Sequence, residues 1–249
     1  MAYHDRNTVC ISRQVGCAMG CKFCATGNMG FVRNLTSGEI VEQVIKSAAI
    51  LSSNDNRLTN VVFMGMGEPF HNYQAVREAI VILNDPNGFG MGKRRFTIST
   101  VGIVPGIKKL TEERSQVNLA ISLHAADDQL RSNIVPINSK YNISALMRAC
   151  DAYLEKNGRR ITIEWALIDG VNDTDEQARK LVNLIKGKLF HVNLIQLNPV
   201  DHYPGKPAMD QNARRFQKII EAAGIPCTIR LRRGIDIQAG CGQLASNTN

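Results

Sequence analysis

Three cysteines, Cys17, Cys21 and Cys24, share one short segment with the spacing C-x3-C-x2-C (CAMGCKFC, 17–24). Three thiolates on such a loop can each bind one iron of a four-iron, four-sulfur cluster. The fourth iron is then left without a protein ligand and open to an outside chelator. A structural zinc site wants four protein ligands, usually in two pairs, and an electron-transfer cluster wants four cysteines. The spacing therefore describes a metal centre that binds something. The plainer readings of the same residues are a zinc loop completed by Cys10 or a histidine, or three unrelated thiols.

The elements that must hold this loop follow from the apolar pattern. β-Branched, apolar runs at 8–12, 60–64, 95–100, 118–123, 160–168, 191–197 and 226–231 alternate with amphipathic stretches at 37–51, 73–83, 104–113, 144–156, 175–186 and 210–223. Thr36 or Ser37 reads as a helix N-cap with Glu39 and Glu42 in or near the first turn, and Thr174 precedes Asp175 and Glu176 in the same manner. Strand, helix, strand with nearly continuous apolar strands means an α/β fold with a parallel sheet and right-handed crossovers. About six units predict a partial, open β/α barrel, with a doubly wound sheet as the alternative. The whole chain, 1–249, reads as one domain in which 1–12 is the entering strand and 232–249 a C-terminal tail.

In a parallel barrel the chemistry belongs at the C-terminal ends of the strands. There the sequence places the cysteine loop, MGMGEP (64–69), STVG (99–102), SLH (122–124) and NPV (198–200). Each has a structural reading: glycines for turns, Ser122 as a cap, His124 as a packed residue, Asn198 as a turn former. Five such segments on one rim, beside an open metal centre, read together as a cofactor cradle. Composition agrees with a full core, at 44% hydrophobic residues. The formal charge of +8 suits a nucleic-acid partner. No apolar run is long enough for a transmembrane helix, and the opening MAYHDR lacks an apolar signal segment. Seven cysteines without such a signal argue for a reducing compartment, so a cytoplasmic protein is expected.

Taken together, the segments TVCISRQVGC (8–17), the cysteine loop, GFVRNL (30–35), MGMGEP, SLH, VPIN (135–138), DGVND (169–173), NPV and RGIDIQAGCGQL (233–244) resemble the radical S-adenosylmethionine (SAM) methyltransferases that modify C2 of adenine in 23S rRNA and tRNA. The resemblance runs over nearly the whole chain. It implies a [4Fe–4S] cluster on Cys17, Cys21 and Cys24. It also implies two SAM molecules per turnover, one as methyl donor and one as radical source. Gly67 and Glu68 would meet the methionine amino group, with Ser99, Ser122, Leu123, His124 and Asn198 along the remaining cofactor surface.

The resemblance also assigns two catalytic cysteines outside the loop. C2 of adenine is an electron-poor carbon with no nucleophilic lone pair, so direct transfer from a sulfonium has little to drive it. Cys241 takes a methyl group, a 5′-deoxyadenosyl radical removes hydrogen from it, and the resulting carbon radical adds to the base. Cys10 then attacks the Cys241 sulfur, releasing the product and leaving a disulfide to be reduced. Read without the family, Cys10 is a strand residue and Cys241 a small residue in a glycine-rich tail. Cys150 and Cys227 have no motif around them and read as structural. Implied partners are 23S rRNA and tRNA with an electron donor such as flavodoxin or ferredoxin, no membrane, and a monomeric enzyme.

Two departures from the family stand out: its accessory domain precedes the segment matching 5–6, with the glutamate proposed to accept a proton just upstream, and Gly240 replaces the usual alanine. Other readings are a C8-methylating relative that confers antibiotic resistance, a radical enzyme with another substrate, and a non-catalytic iron–sulfur or RNA-binding remnant. Basic clusters at 93–95, 159–160, 214–215 and Arg230, Arg232 and Arg233 read as phosphate grips or as solvated surface.

Overall fold

A computed structural model describes residues 2–3, 6–230 and 240–245. Arg232, Arg233 and most of the expected tail lie outside the described residues. The elements in chain order are β1 (Ala2–Tyr3), β2 (Arg6–Cys10), β3 (Gln14–Gly16), α1 (Ala25–Asn28), β4 (Phe31–Asn34), α2 (Ser37–Ser52), β5 (Asn60–Phe63), α3 (Tyr73–Asn84), β6 (Phe96–Thr100), α4 (Val104–Glu112), β7 (Asn118–Ser122), α5 (Asp128–Ile134), α6 (Ile143–Asn157), β8 (Ile161–Leu167), α7 (Asp175–Ile185), β9 (Phe190–Gln196), α8 (Asp210–Ala222) and β10 (Cys227–Arg230).

One sheet has the order β1-β2-β5-β6-β7-β8-β9-β10. Strands β2 and β5 to β10 run parallel to their neighbours, and β1 adds antiparallel to the outer edge of β2. The order opens at β1 and ends at β10, so this is the open half-barrel expected and not a doubly wound sheet, whose strand order would reverse. The helices cover its convex side. Ile161, Ile163, Trp165 and Leu167 of β8 are all fully buried and alternate with residues facing the concave side. Helices α4 and α6 pack together, as do α2 with α3 and α7 with α8.

Helix starts obey local chemistry. The Thr36 hydroxyl accepts the Glu39 N–H while the Glu39 carboxylate takes the Thr36 N–H, a full capping box. Thr174 and Asn142 cap α7 and α6 more simply, their side-chain oxygens accepting the N–H groups of Gln177 and Ala145. The periodicity gave no sign of the β3–β4 hairpin or of α5, which are too short to carry one.

Two buried polar residues explain two of the motifs. Arg131 is fully buried. It donates to the Leu123 carbonyl (3.0 Å), the Val101 carbonyl (2.6 Å) and Asn138 Oδ1 (2.9 Å), tying α5 to the ends of β6 and β7. All three acceptors are neutral, and burial lowers its pKa to about 10. The VPIN segment thus supplies Asn138 as a hydrogen-bond partner. In DGVND, the Asn172 amide donates to the carbonyls of His124 and Ala166, both at 2.7 Å, and its oxygen accepts the Ile168 N–H. Replacing Arg131 by Met would leave these acceptors unpaired, at about 1–3 kcal/mol per buried group. Urea unfolding followed by the fluorescence of Trp165, the single tryptophan, should show Arg131→Met destabilised by about 3 kcal/mol. A loss under about 1 kcal/mol would mean that the clasp does not hold the strand ends.

Candidate active site

Beyond Cys10, the chain from β2 runs against the turn that follows β5. The Ile11 N–H donates to the Val62 carbonyl (3.0 Å), Gly65 N–H to Ile11 (3.1 Å) and Arg13 N–H to Met66 (3.1 Å). A Cβ on Gly65 would lie 2.8 Å from the Ile11 carbonyl, so only glycine permits this approach. Gly67 has φ +96°, and a Cβ there would meet the Gln14 side chain at 2.5 Å. Gln14 Oε1 in turn accepts the Glu68 N–H at 2.8 Å. The buried Arg13 guanidinium donates to the carbonyls of Gly65 (3.0 Å) and Gly67.

The cysteine loop is held from several sides. Cys17 N–H donates to Gly30 across the hairpin (2.8 Å), and Lys22 N–H to Ile134 (3.1 Å). Cys17, Cys21 and Cys24 border one cavity with Gly67, Glu68, Ser99, Ser122, His124, Asn198 and Cys241. All seven cysteines of the chain are free. Among the described residues no three histidine, cysteine or acidic side chains gather around a single metal position. Three thiols bordering one cavity suit a multi-iron cluster, in which each sulfur binds its own iron. Burial pushes the Cys17 and Cys21 thiols up, so coordination must offset that cost for them to act as thiolates.

The cradle residues divide by what their polar atoms already do. The buried Glu68 carboxylate accepts N–H groups from Phe70 (3.1 Å) and Val101 (3.0 Å); burial raises its pKa, opposed by those bonds and by Arg13. The Ser99 and Ser122 hydroxyls face each other at 3.4 Å. Asn198 donates to the Cys241 carbonyl (2.9 Å), while its own oxygen is buried and without a protein partner. That orphan acceptor fits a ligand bringing an N–H or O–H, as S-adenosylmethionine does. His124 sits at φ +60° with Nδ1 accepting the Ala166 N–H (2.9 Å), and burial together with Arg131 lowers its pKa to about 3. It is therefore a neutral imidazole, edge-on to Phe23 at 4.8 Å. Leu123 differs from its expected place on the cavity surface. Its side chain is fully buried behind the wall, and its N–H and carbonyl are taken by Glu164 and Arg131.

Cys10 lies on the concave face, reachable from solvent. Burial by surrounding protein pushes its thiol up to about 11; the Cys241 charge adds to this, and Arg13 and Arg230 oppose it. Burial likewise raises Cys241, with Arg230 acting against it. Cys10 and Cys241, from opposite ends of the chain, thus lie within electrostatic reach of each other. Cys150 and Cys227 are buried and border none of these groups.

Two residues at the site escaped sequence reasoning. Arg13 sits inside the first motif, which was given no role between Cys10 and Cys17. Glu164 borders the cavity and is nearly fully buried, next to Asn193 (3.1 Å) and Arg230 (3.8 Å). A carboxylate at an inward position of an otherwise apolar strand was the available signal.

A model of the Radical SAM superfamily matches residues 11–182. The dual-specificity RNA methyltransferase RlmN 1 of Myxococcus xanthus is 50% identical over 244 residues, which is 98% of this chain and 68% of that protein. A probable dual-specificity RNA methyltransferase RlmN of Caldanaerobacter subterraneus is 51% identical, covering 97% of this chain and 70% of its own length. Among solved structures, a radical SAM methyltransferase from Sphaerobacter thermophilus superposes with a TM-score of 0.96 at 52% identity, over 98% of this chain and 71% of that one. Streptococcus suis SuiB bound to S-adenosylmethionine shares the fold alone, with a TM-score of 0.66 at 16% identity over 92% of this chain and 51% of its own.

Anaerobic iron and sulfide reconstitution should give about four irons per chain and a visible spectrum that changes on adding S-adenosylmethionine. Triple replacement of Cys17, Cys21 and Cys24 by Ala should abolish both. Gly67→Ala should keep the iron but weaken cofactor binding about tenfold or more, since the added methyl displaces Gln14 and with it Glu68. Stoichiometric zinc without visible absorption would refute the cluster assignment.

Proposed function

The chain belongs to the radical SAM superfamily and, within it, to the dual-specificity RNA methyltransferases, and on that premise we propose that it methylates C2 of adenine in 23S rRNA and tRNA through a methyl group carried on Cys241. One observation carries the reading. Cys241, from the far end of the chain, borders the same cavity as the three loop cysteines, with Cys10 close enough to feel its charge. A radical enzyme that carries no methyl group on a cysteine would not need that pair.

When bound, the cluster and two molecules of S-adenosylmethionine supply the electron, the hydrogen-abstracting radical and the methyl group. Cys17, Cys21 and Cys24 hold the cluster. Gly67 and Glu68 take the amino end of the cofactor, where glycine allows close approach and the carboxylate offers charge. Ser99, Ser122 and Asn198 supply hydroxyl and amide contacts along the rest of it, while neutral His124 and buried Leu123 shape the wall from within. Cys241 carries the methyl carbon and stays joined to the base through it. Once the radical adduct has given up one electron and the C2 hydrogen as a proton, Cys10, as thiolate, attacks the Cys241 sulfur. The S–S bond forms, the C–S bond breaks, and its electron pair goes to the methylene carbon, which takes up a proton to become the methyl group of the released nucleotide. The resulting disulfide takes two electrons before the next cycle. A flavodoxin or ferredoxin as electron donor, a monomeric enzyme and a cytoplasmic site complete the reading; among the described residues no helix is long and apolar enough to cross a membrane.

Cys241→Ala should form neither methylated protein nor an RNA adduct. Cys10→Ala should accumulate a covalent protein–RNA species, resolved by denaturing electrophoresis and mass spectrometry. Because the Cys10 thiol is raised to about 11, its thiolate fraction grows about tenfold per pH unit below that value. Single-turnover release by the parent should accelerate accordingly between about pH 7 and 9. An adduct in the Cys241 variant, or release independent of pH, would reverse the assigned roles.

A further inference from the structure

The concave face holds a second cavity, about 890 Å3, between the N-terminal halves of the strands from β2 to β10. In a closed parallel barrel the inward positions are filled by branched apolar side chains that pack as a core. Here Thr8, Thr162, Asn193 and Thr228 face inward instead and border open space. A lining of hydroxyls and amides is not a core, and it suits an occupant that can hydrogen-bond. The volume falls in the range of small-ligand sites.

Charge selects the kind of occupant. Arg6, Arg159, Arg160 and Arg230 border the cavity, and the only carboxylate bordering it among the described residues is Glu164, which is already engaged by Asn193 and Arg230. His191 adds no charge to oppose them: its ring nitrogen meets the Thr228 hydroxyl at 3.2 Å, and burial lowers its pKa. Arg159 is steered by Gln116 and Asn118, and its Nε is buried without a protein partner. Arg94 donates to the same Gln116 oxygen (3.2 Å), bringing a further guanidinium alongside. The cluster at 214–215 differs, since Arg215 is paired with Asp175 at 2.6 Å on the outer helices. Met64 and Glu164 border both this cavity and the one with the cysteines, so the two are neighbours along one face.

We propose that this lower cavity is a nucleotide subsite, holding the sugar and phosphate of a residue next to the target adenosine on the same RNA strand. The proposal rests on the RNA-methylating function above. The guanidinium groups would take the phosphate, where planar donors pair well with its oxygens. The threonine and asparagine side chains would take ribose hydroxyls, including the 2′-OH that separates RNA from DNA.

The test is fluorescence anisotropy of a labelled, adenine-containing RNA stem-loop titrated with the full chain between 50 and 200 mM KCl. Arg159→Gln/Arg160→Gln should bind about tenfold more weakly at low salt, with the slope of log affinity against log salt shallower by about 1. Arg160→Gln alone, at an exposed position, should weaken binding about threefold, which guards against misfolding of the double variant. Arg214→Gln/Arg215→Gln should stay within about twofold of the parent. The parent should also prefer the RNA over DNA of the same sequence, a preference that Thr162→Val/Thr228→Val should reduce and the arginine double variant should leave in place. RNA binding by the parent that is unchanged in affinity and slope in the double variant would overturn the subsite and leave the RNA function standing. A parent that binds no RNA would overturn both.

Discussion

The site depends on one buried cation. Arg13 leaves β2 just past Cys10, and its guanidinium is enclosed between the β2 exit and the turn after β5, donating to the carbonyls of Gly65 and Gly67. Burial alone lowers its pKa; the Glu68 carboxylate and the thiol groups of Cys10, Cys17 and Cys24 act in the opposite sense. A buried charge is tolerated only when opposite charge and hydrogen bonds offset desolvation. Arg13 and the Glu68 carboxylate therefore stabilise each other's charged forms. Asn72 completes the arrangement by donating to the carbonyls of Arg13 (2.7 Å) and Leu35 (2.8 Å), locking the hairpin that closes the loop against the same turn.

This explains what sequence could and could not disclose. The parallel strands were legible because they are nearly continuous apolar runs, and the segments at their ends line up on one rim by topology alone. The cysteine spacing pointed to an open iron–sulfur cluster, and the fold brings the three thiols to the border of one cavity. Leu123 was placed on the cofactor surface because it lies between Ser122 and His124. Strand alternation turns its side chain the other way, into the core, and period-two reasoning applied one residue further would have found it. Glu68 and His124 were read as cofactor contacts, yet each also holds backbone: Glu68 caps two N–H groups, and His124 takes the Ala166 N–H. Such partners are distant in sequence and leave no local trace. The roles of Asn138 and Asn172 were hidden for the same reason, although the motifs containing them were visible.

Opening the barrel has a cost and a use. In the open sheet, the inward positions of the strands cannot pack against strands opposite, so the lower half carries side chains that accept solvent or a polar ligand. Across the concave face Arg230, on the last parallel strand, opposes the raised pKa of Cys10, on the first. Cys241 feels Arg230 as well. One guanidinium at the sheet edge thus favours the thiolate forms of both cysteines, while Glu164 holds it by charge at 3.8 Å.

The tail shows how the two ends of the chain are made interdependent. Ala25, directly after the last loop cysteine, donates its N–H to Gly242 (2.7 Å), and the Thr26 hydroxyl donates to the Leu244 carbonyl. From the other side Asn198 holds the Cys241 carbonyl, and Gln243 donates to Pro199 (3.0 Å). Cys241 is therefore docked between the cysteine loop and the end of β9 by one backbone bond and three side-chain donors to backbone carbonyls. The side chains of Thr26, Asn198 and Gln243, not that of Cys241 itself, hold the tail where its sulfur borders the cavity. A loop that loses its order also loses the hydrogen bonds that seat the tail. The geometry that holds the three thiols together and the geometry that presents the fourth are parts of one hydrogen-bonded unit.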